Sequence, residues 1–346
     1  MNATMRVAIA REWGGPLRIE RMPVPVPGAG QVLVRIRASG ICHTDLHAIR
    51  GDWPVKPSLP FVPGHEGAGE VAALGPGVTG LAIGDPVGIV WLHDACGACE
   101  YCLSGWETLC ERQRNSGYAV NGSFAEYALA SADYLARLPQ GCDFAAFAPI
   151  LCAGVTVYKG LRETEARPGQ WIAISGIGGL GHVAIQYARA MGLRVAALDT
   201  HAAKLELARQ LGAEIAIDAG RADAAQSLCR ATGGGAHGVL VTAVSPRAFD
   251  QALQLVRRRG TISLVGLPPG EFATPIFDVV LKRITLRGSI VGSRQDLAEA
   301  VALAERGLVR ARIERHPLEQ VNVLLERLGA GQVQGRAVLD MDLAQA

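Results

Sequence analysis

Four cysteines fall close together in the chain, Cys96, Cys99, Cys102 and Cys110, with the spacing C-x2-C-x2-C-x7-C. Four thiolates in one loop can close a tetrahedral zinc shell and leave no position for a substrate. Such a site is structural and holds a lobe that lacks its own core. The close spacing also suits an iron–sulfur cluster, but no proline-terminated ferredoxin pattern follows the loop, which favours zinc. A second candidate set comes from Gly40-Ile-Cys-His-Thr-Asp-Leu-His and Gly64-His-Glu-Gly-Ala-Gly, which supply Cys42 and His65. Cys152, in Leu-Cys-Ala-Gly-Val-Thr, is the best candidate for a third ligand, although a buried cysteine is also commonly an inert core residue. Two cysteines and one histidine leave a fourth position open for water or an alcohol oxygen, as a catalytic zinc requires.

A third constellation is Ser175-Gly-Ile-Gly-Gly-Leu-Gly, which sets Gly176, Gly178 and Gly181 in a G-x-G-x-x-G pattern around Gly179 and Leu180. Glycines there allow a tight turn and a close approach of backbone to a pyrophosphate resting on a helix N-terminus. A lone pattern of this kind is weak. Here an expected strand precedes it, an expected helix follows, and Asp199 ends the next expected strand. Asp199 can accept hydrogen bonds from both ribose hydroxyls and would repel a 2′-phosphate, so the expected cofactor is NAD rather than NADP.

These residues need elements to hold them. Gln31–Arg37 alternates with period two, as a half-buried strand does, and Pro23, Pro25 and Pro27 precede it. From about residue 170 the texture changes. Short apolar runs at Trp171–Ser175, Arg194–Asp199, Glu214–Ile217, Val239–Ala243, Thr261–Val265 and Ile284–Leu286 read as strands. Helical spacing recurs from Leu180 to Met191, again after Asp199 through Leu211, and from about Pro246 to Arg258. Alternating strands and helices imply βαβ units and a parallel sheet. The expected fold is α/β, a β-rich domain followed by a doubly wound one, with a tail that returns to the first. Arg257–Arg259 is expected to cap a helix C-terminus, and Gly233–Gly235 to form a turn. Cys142 and Cys229 fit no ligand pattern; His93, His182, His201, His237 and His316 read as structural or exposed.

The chain has 346 residues, 49% hydrophobic and 19% charged, which suits about two domains with buried cores rather than disorder. Its 34 Lys and Arg against 32 Asp and Glu leave no excess positive charge for a nucleic-acid backbone. The longest nearly apolar stretch, Phe144–Tyr158, is interrupted by Pro149 and Gly154 and is too short to span a bilayer. No signal peptide is expected, so the expected location is cytoplasmic. Clustered thiols there bind metal more often than they form disulfides.

The Gly64–Gly69 segment with Gly75, the four-cysteine loop, Cys152-Ala-Gly-Val-Thr and the glycine fingerprint occur in the order of the zinc-dependent medium-chain alcohol dehydrogenases. The chain resembles that family along essentially its whole length. Cys42-His-Thr-Asp-Leu-His followed by Gly51-Asp-Trp is most similar to the short-loop bacterial and yeast ethanol-type branch. The resemblance implies a GroES-like catalytic domain over residues 1–153 and 293–346 and a Rossmann domain over 154–292. It implies Cys42, His65 and Cys152 as catalytic zinc ligands, Glu66 as an alternative or outlying ligand, and Asp45 orienting a ligand histidine. Thr44 would accept the alcohol proton, passed through the nicotinamide ribose to His47, while hydride moves from a zinc-bound alkoxide to NAD. His43 and Arg336 would meet the cofactor pyrophosphate, Lys204 the adenosine ribose, Thr156 the nicotinamide, and the backbone from Val265 to Leu267 its carboxamide. Trp53 and Trp91, with Leu267, would wall a pocket for small primary alcohols.

On this resemblance the chain is an enzyme that interconverts small alcohols and aldehydes, with two zinc ions per subunit and NAD, as a homotetramer without nucleic-acid or membrane partners. Alternatives are a broader aldehyde reductase or an aromatic or longer-chain alcohol dehydrogenase. A rival of another class is a non-catalytic protein that binds zinc and NAD. It would keep the cysteine loop and the fingerprint but have no reason to keep Cys42, His65, Thr44 and His47.

Overall fold

A computed structural model describes residues 3–343. The chain divides into two compact units. One comprises residues up to Cys152, Ser293–Val301 and residues from Ala311 onward; the other comprises Ala153–Gly292 and Ala302–Arg310.

The first unit is built on a seven-stranded sheet whose pivot is the strand Gln31–Gly40. The strand runs further than the sequence suggests, because Ala38–Gly40 finds a partner in Arg336–Asp340 near the C-terminus. The tail does return to this unit. Gly67–Leu74 and Tyr127–Ser131 flank the same strand, both antiparallel. Val32, Val34 and Ile36 point into a core shared with Val7, Phe61, Val71, Val87 and Phe124. Fully burying each such side chain stabilises the unit by about 1.5–3 kcal/mol.

The second unit carries a six-stranded sheet in the spatial order Ile215–Asp218, Arg194–Asp199, Trp171–Ser175, Ala236–Val241, Val256–Leu264, Thr285–Gly288. Every neighbouring pair is parallel. Trp171–Ser175 sits at its centre with every residue buried, which explains why it reads as a continuous apolar run. Helices Gly181–Ala190, Ala202–Gln210, Ala224–Thr232 and Pro246–Leu255 connect the strands, the doubly wound arrangement expected.

One expectation fails here. The helix beginning at Pro246 stops at Leu255 rather than Arg258, and Arg257–Arg259 lies in the strand Val256–Leu264 instead of capping that helix. Pairing of Val256 with Ala236 and of Thr261 with Gly238 overrides the local helical pattern. Gly233–Gly235 does turn the chain, with φ of 68°, 119° and 104° that a side chain would resist. Among the described residues no single helix is long and apolar enough to cross a membrane.

Candidate active site and metal centres

Helix His43–Arg50 begins where Cys42 leaves an extended conformation and ends at Gly51 in the left-handed region, φ 62°. Asp45, in its first turn, accepts the Cys42 backbone N–H at 2.8 Å and so closes the helix start. The same carboxylate accepts from the Gly64 N–H at 3.2 Å and lies 2.8 Å from His65 Nδ1. One buried carboxylate thus caps a helix and fixes a histidine ring, leaving His65 Nε2 for another partner.

That partner set is Cys42, Glu66 and Cys152. One ligand atom from each of Cys42, His65, Glu66 and Cys152 lies within 4.8 Å of the others, and all four residues are buried. Cys152 enters the set from the end of the 3-10 turn Ala148–Leu151. Its hydrogen bond with Cys42 pulls the Cys42 thiol well below its ordinary pKa and pushes Cys152 well above. Burial lowers the His65 pKa, but the Asp45 carboxylate outweighs it and holds the ring well above the usual value. Burial lifts the Glu66 carboxyl to about 7 against the pull of Arg336. Glu66 Oε1 accepts from Arg336 Nη2, while Glu66 Oε2 and Arg336 Nε have no hydrogen-bond partner. Two thiols, an imidazole and an orphaned carboxylate oxygen converging in a buried place form a donor set that fits zinc.

The four-cysteine lobe holds a second such set. Cys96, Cys99, Cys102 and Cys110 bring their sulfurs within 4.8 Å of one another. Cys96 Sγ and Cys102 Sγ are 3.9 Å apart, against about 3.8 Å for the edge of a tetrahedron with Zn–S bonds of about 2.3 Å. An iron–sulfur cluster places several iron and sulfide atoms between its thiolates and holds them farther apart, so the spacing fits zinc. Backbone N–H groups of Ala98 and Cys99 hold the Cys96 thiol down at about 5, ready to ligate as thiolate.

Thr44 and His47 follow Cys42 on the same helix. His47 Nδ1 lies 2.9 Å from Asp52 Oδ1, and its ring stacks on Trp53 with centroids 5.3 Å apart. Trp53 meets Trp91 edge-on at 6.4 Å, and Trp91 meets His65 at 5.4 Å. The two indoles therefore stand beside the Cys42–His65 cluster. Sequence reasoning missed two neighbours. Tyr118 packs against both Trp53 and Trp91, at 5.9 and 5.6 Å, and donates its hydroxyl to the Val55 carbonyl. Asp52 orients His47; its place in Gly51-Asp-Trp was the available signal. Gly40 was also missed. A Cβ there would fall 1.9 Å from Glu66 Oε2, so the glycine makes room for the carboxylate. His43 is exposed, and Arg336 is buried against Glu66.

In the second unit the fingerprint leads from strand Trp171–Ser175 into helix Gly181–Ala190. Gly176 has φ 96°, and a Cβ on Gly181 would meet the Gly176 carbonyl oxygen at 1.9 Å, so both positions exclude larger residues. Beside Gly178 the space is open, a cradle for the close approach of a pyrophosphate. Gly179 and Leu180 complete the turn, Leu180 standing at the helix N-cap. Asp199 Oδ2 accepts the Ile177 N–H at 2.7 Å, and Lys204 Nζ is 4.0 Å from the same oxygen. Thr156 Oγ1 is buried without a partner. The Val265 N–H is taken by the Val241 carbonyl at 3.0 Å. Leu267 is 62% exposed within its unit.

A GroES-like fold with two zinc-ligand clusters and a dinucleotide-type parallel sheet define a zinc-type dehydrogenase. Comparison with known proteins agrees. Residues 28–140 match the family described as "Alcohol dehydrogenase GroES-like domain", and residues 179–306 match "Zinc-binding dehydrogenase". An alcohol dehydrogenase of Rhizobium meliloti (strain 1021) is 57% identical over 98% of this chain and 99% of its own. The crystal structure of an alcohol dehydrogenase from Aeropyrum pernix superposes with TM-score 0.89 at 37% identity, covering 97% of this chain and 99% of that one. The acetophenone reductase of Geotrichum candidum, solved in complex with NAD, superposes with TM-score 0.87 at 31% identity over 99% of each chain. The chain belongs to the zinc-dependent medium-chain alcohol dehydrogenases.

Proposed function

We propose that the enzyme oxidises small primary alcohols of the ethanol type with NAD and catalyses the reverse reduction of aldehydes. The observation that carries this reading is the buried set Cys42, His65 and Cys152 with Thr44 and His47 on the helix that begins at Cys42. When bound, zinc supplies a Lewis acid that makes a hydroxyl more acidic, and NAD supplies a hydride acceptor. Cys42, His65 and Cys152 would hold the metal, and Asp45 fixes the His65 tautomer. Thr44 accepts the substrate hydroxyl proton, and His47, turned by Asp52, delivers it to solvent. Gly176, Gly178 and Gly181 would take the dinucleotide, with Asp199 against the adenosine ribose. Trp53, Trp91 and Tyr118 limit the length and branching of the alcohol.

The exposed apolar face of helix Ile276–Lys282, with Ile276 76% and Phe277 80% exposed, flanks the edge strand Thr285–Gly288. It supports assembly with further copies of the chain into a homotetramer, which light scattering at micromolar concentration tests.

Cofactor preference is tested by initial rates with NAD and NADP. The wild type is expected to favour NAD by about 100-fold or more, because Asp199 repels a 2′-phosphate. Asp199→Ala is expected to narrow that ratio at least tenfold. Equal rates with both cofactors in the wild type would contradict the reading.

A further inference from the structure

The second unit contains a cavity of about 410 Å³ that none of this chemistry uses. It is lined by Arg167, His237, Arg257, Arg258 and Arg259, with Gln170 among its polar neighbours. It opens at the amino ends of the central strands, where Trp171, Ala236 and Val256 begin. The glycine fingerprint leaves from the opposite, carboxyl end of Trp171–Ser175.

The lining is built by a strand irregularity. Val256 pairs with Ala236 and Thr261 with Gly238, so Arg257, Arg258, Arg259 and Gly260 all oppose the single residue His237. The insertion places three consecutive arginines in the lining, and it holds Arg259 at φ 60°, a conformation that costs a non-glycine residue energy. Among the described residues no carboxylate forms an ion pair with them. Glu165, the one acid in the lining, is 2.7 Å from Arg287. Arg258 spends one N–H on the Leu281 carbonyl in the last turn of helix Ile276–Lys282. Arg167 and Arg259 pair with no acid among the described residues.

His237 adds an independent signal. Its Nδ1 accepts the Trp171 backbone N–H at 3.2 Å, so a neutral ring carries its proton on Nε2. That Nε2 stands 2.8 Å from Arg257 Nη1, itself always a donor. With Nδ1 occupied by the Trp171 N–H, Nε2 of the neutral ring is a donor rather than an acceptor for Arg257, and both side chains line the cavity with further arginines. An anion in the cavity can accept from them. Arginine forks match phosphate oxygens in particular.

We propose that this cavity is a second anion site, separate from the dinucleotide site, that binds a phosphorylated small molecule through Arg257, Arg259, Arg167 and His237. The strained insertion in strand Val256–Leu264 is then the device that gathers its ligands.

Calorimetric titration of the zinc-loaded full-length enzyme with methyl phosphate tests this, with chloride at matched ionic strength as control. One site per chain is expected, and Arg257→Gln should weaken it at least tenfold. Arg259→Gly should weaken it similarly while leaving the Tm unchanged or raised, because glycine relieves the left-handed φ; that separates lost binding from lost folding. Gly178→Val, in the fingerprint, should leave the affinity unchanged. The proposal is overturned if methyl phosphate gives no heat beyond the chloride control. It is equally overturned if Gly178→Val abolishes binding that the arginine variants keep, which would assign the heat to the dinucleotide site.

Discussion

Asp45 Oδ1 lies 2.8 Å from His65 Nδ1, both side chains 1% exposed, and the same carboxylate closes the helix that starts at Cys42. The ring's free nitrogen is therefore set by a residue that also sets the backbone position of the Cys42 thiol. Asp45→Asn keeps the shape but weakens the hold on the ring and its basicity. Zinc affinity at this site is expected to fall by about 10–100-fold, measured by competition with a chromogenic chelator. Unchanged affinity would mean that Asp45 serves the helix start alone.

His47 is held between the Asp52 carboxylate and the Trp53 ring. His47→Gln removes the imidazole while preserving a polar side chain. Alcohol oxidation is expected to slow about 10- to 100-fold near pH 6–7, and less at high pH, where hydroxide takes the proton directly. Zinc content should stay constant. Equal losses at every pH would count against a proton-transfer role. Asp52→Asn should reproduce a weaker form of the same profile.

The lobe from Cys96 to Cys110 buries little besides Cys110 and its neighbours Glu107 and Thr108, so its shape depends on the cross-link between four sulfurs. Cys99→Ser should reduce bound zinc from two ions per chain to one. It should also open the lobe to protease and lower the Tm by several degrees, since metal binding there is folding energy. Metal analysis and limited proteolysis check both. Two zinc ions retained would exclude the four-sulfur site.

Glu66 and Arg336 form an ion pair almost sealed from solvent, 0% and 3% exposed. Removing the carboxylate takes away the hydrogen-bonded partner of a buried guanidinium. Glu66→Ala is expected to destabilise the protein by about 3–5 kcal/mol, read from urea denaturation of the zinc-loaded enzyme. Glu66→Gln keeps an acceptor and should cost less. A loss below about 1 kcal/mol for the alanine variant would show that water reaches Arg336.

Much of this site was legible because its signals are local. Cys96, Cys99, Cys102 and Cys110 must lie close in space when they lie so close in sequence, and Gly176–Gly181 declares a turn between a strand and a helix. Asp45 was placed through family resemblance, and the structure sets it in the helix that Cys42 starts. The relations that sequence did not disclose join distant segments. Nothing near residue 118 says that its hydroxyl reaches the carbonyl of Val55. Arg336 read as a cofactor contact through family resemblance, while its partner in the fold is Glu66, 270 positions away. At Arg257–Arg259 the local pattern favoured helix, and pairing with the strand Ala236–Val241 decided otherwise. Tertiary pairing outweighs a propensity difference of less than about 1 kcal/mol per residue.

The central claim is that this zinc site and its aromatic wall oxidise small primary alcohols. The most direct measurement is the initial rate of NAD reduction by the zinc-loaded enzyme across ethanol, propanol, butanol, pentanol and hexanol. The account predicts a maximum of kcat/KM at ethanol or propanol, with Trp53→Ala moving it to a longer chain. A steady rise to hexanol in the wild type would contradict the small pocket, and no turnover with any of the five would contradict the activity itself.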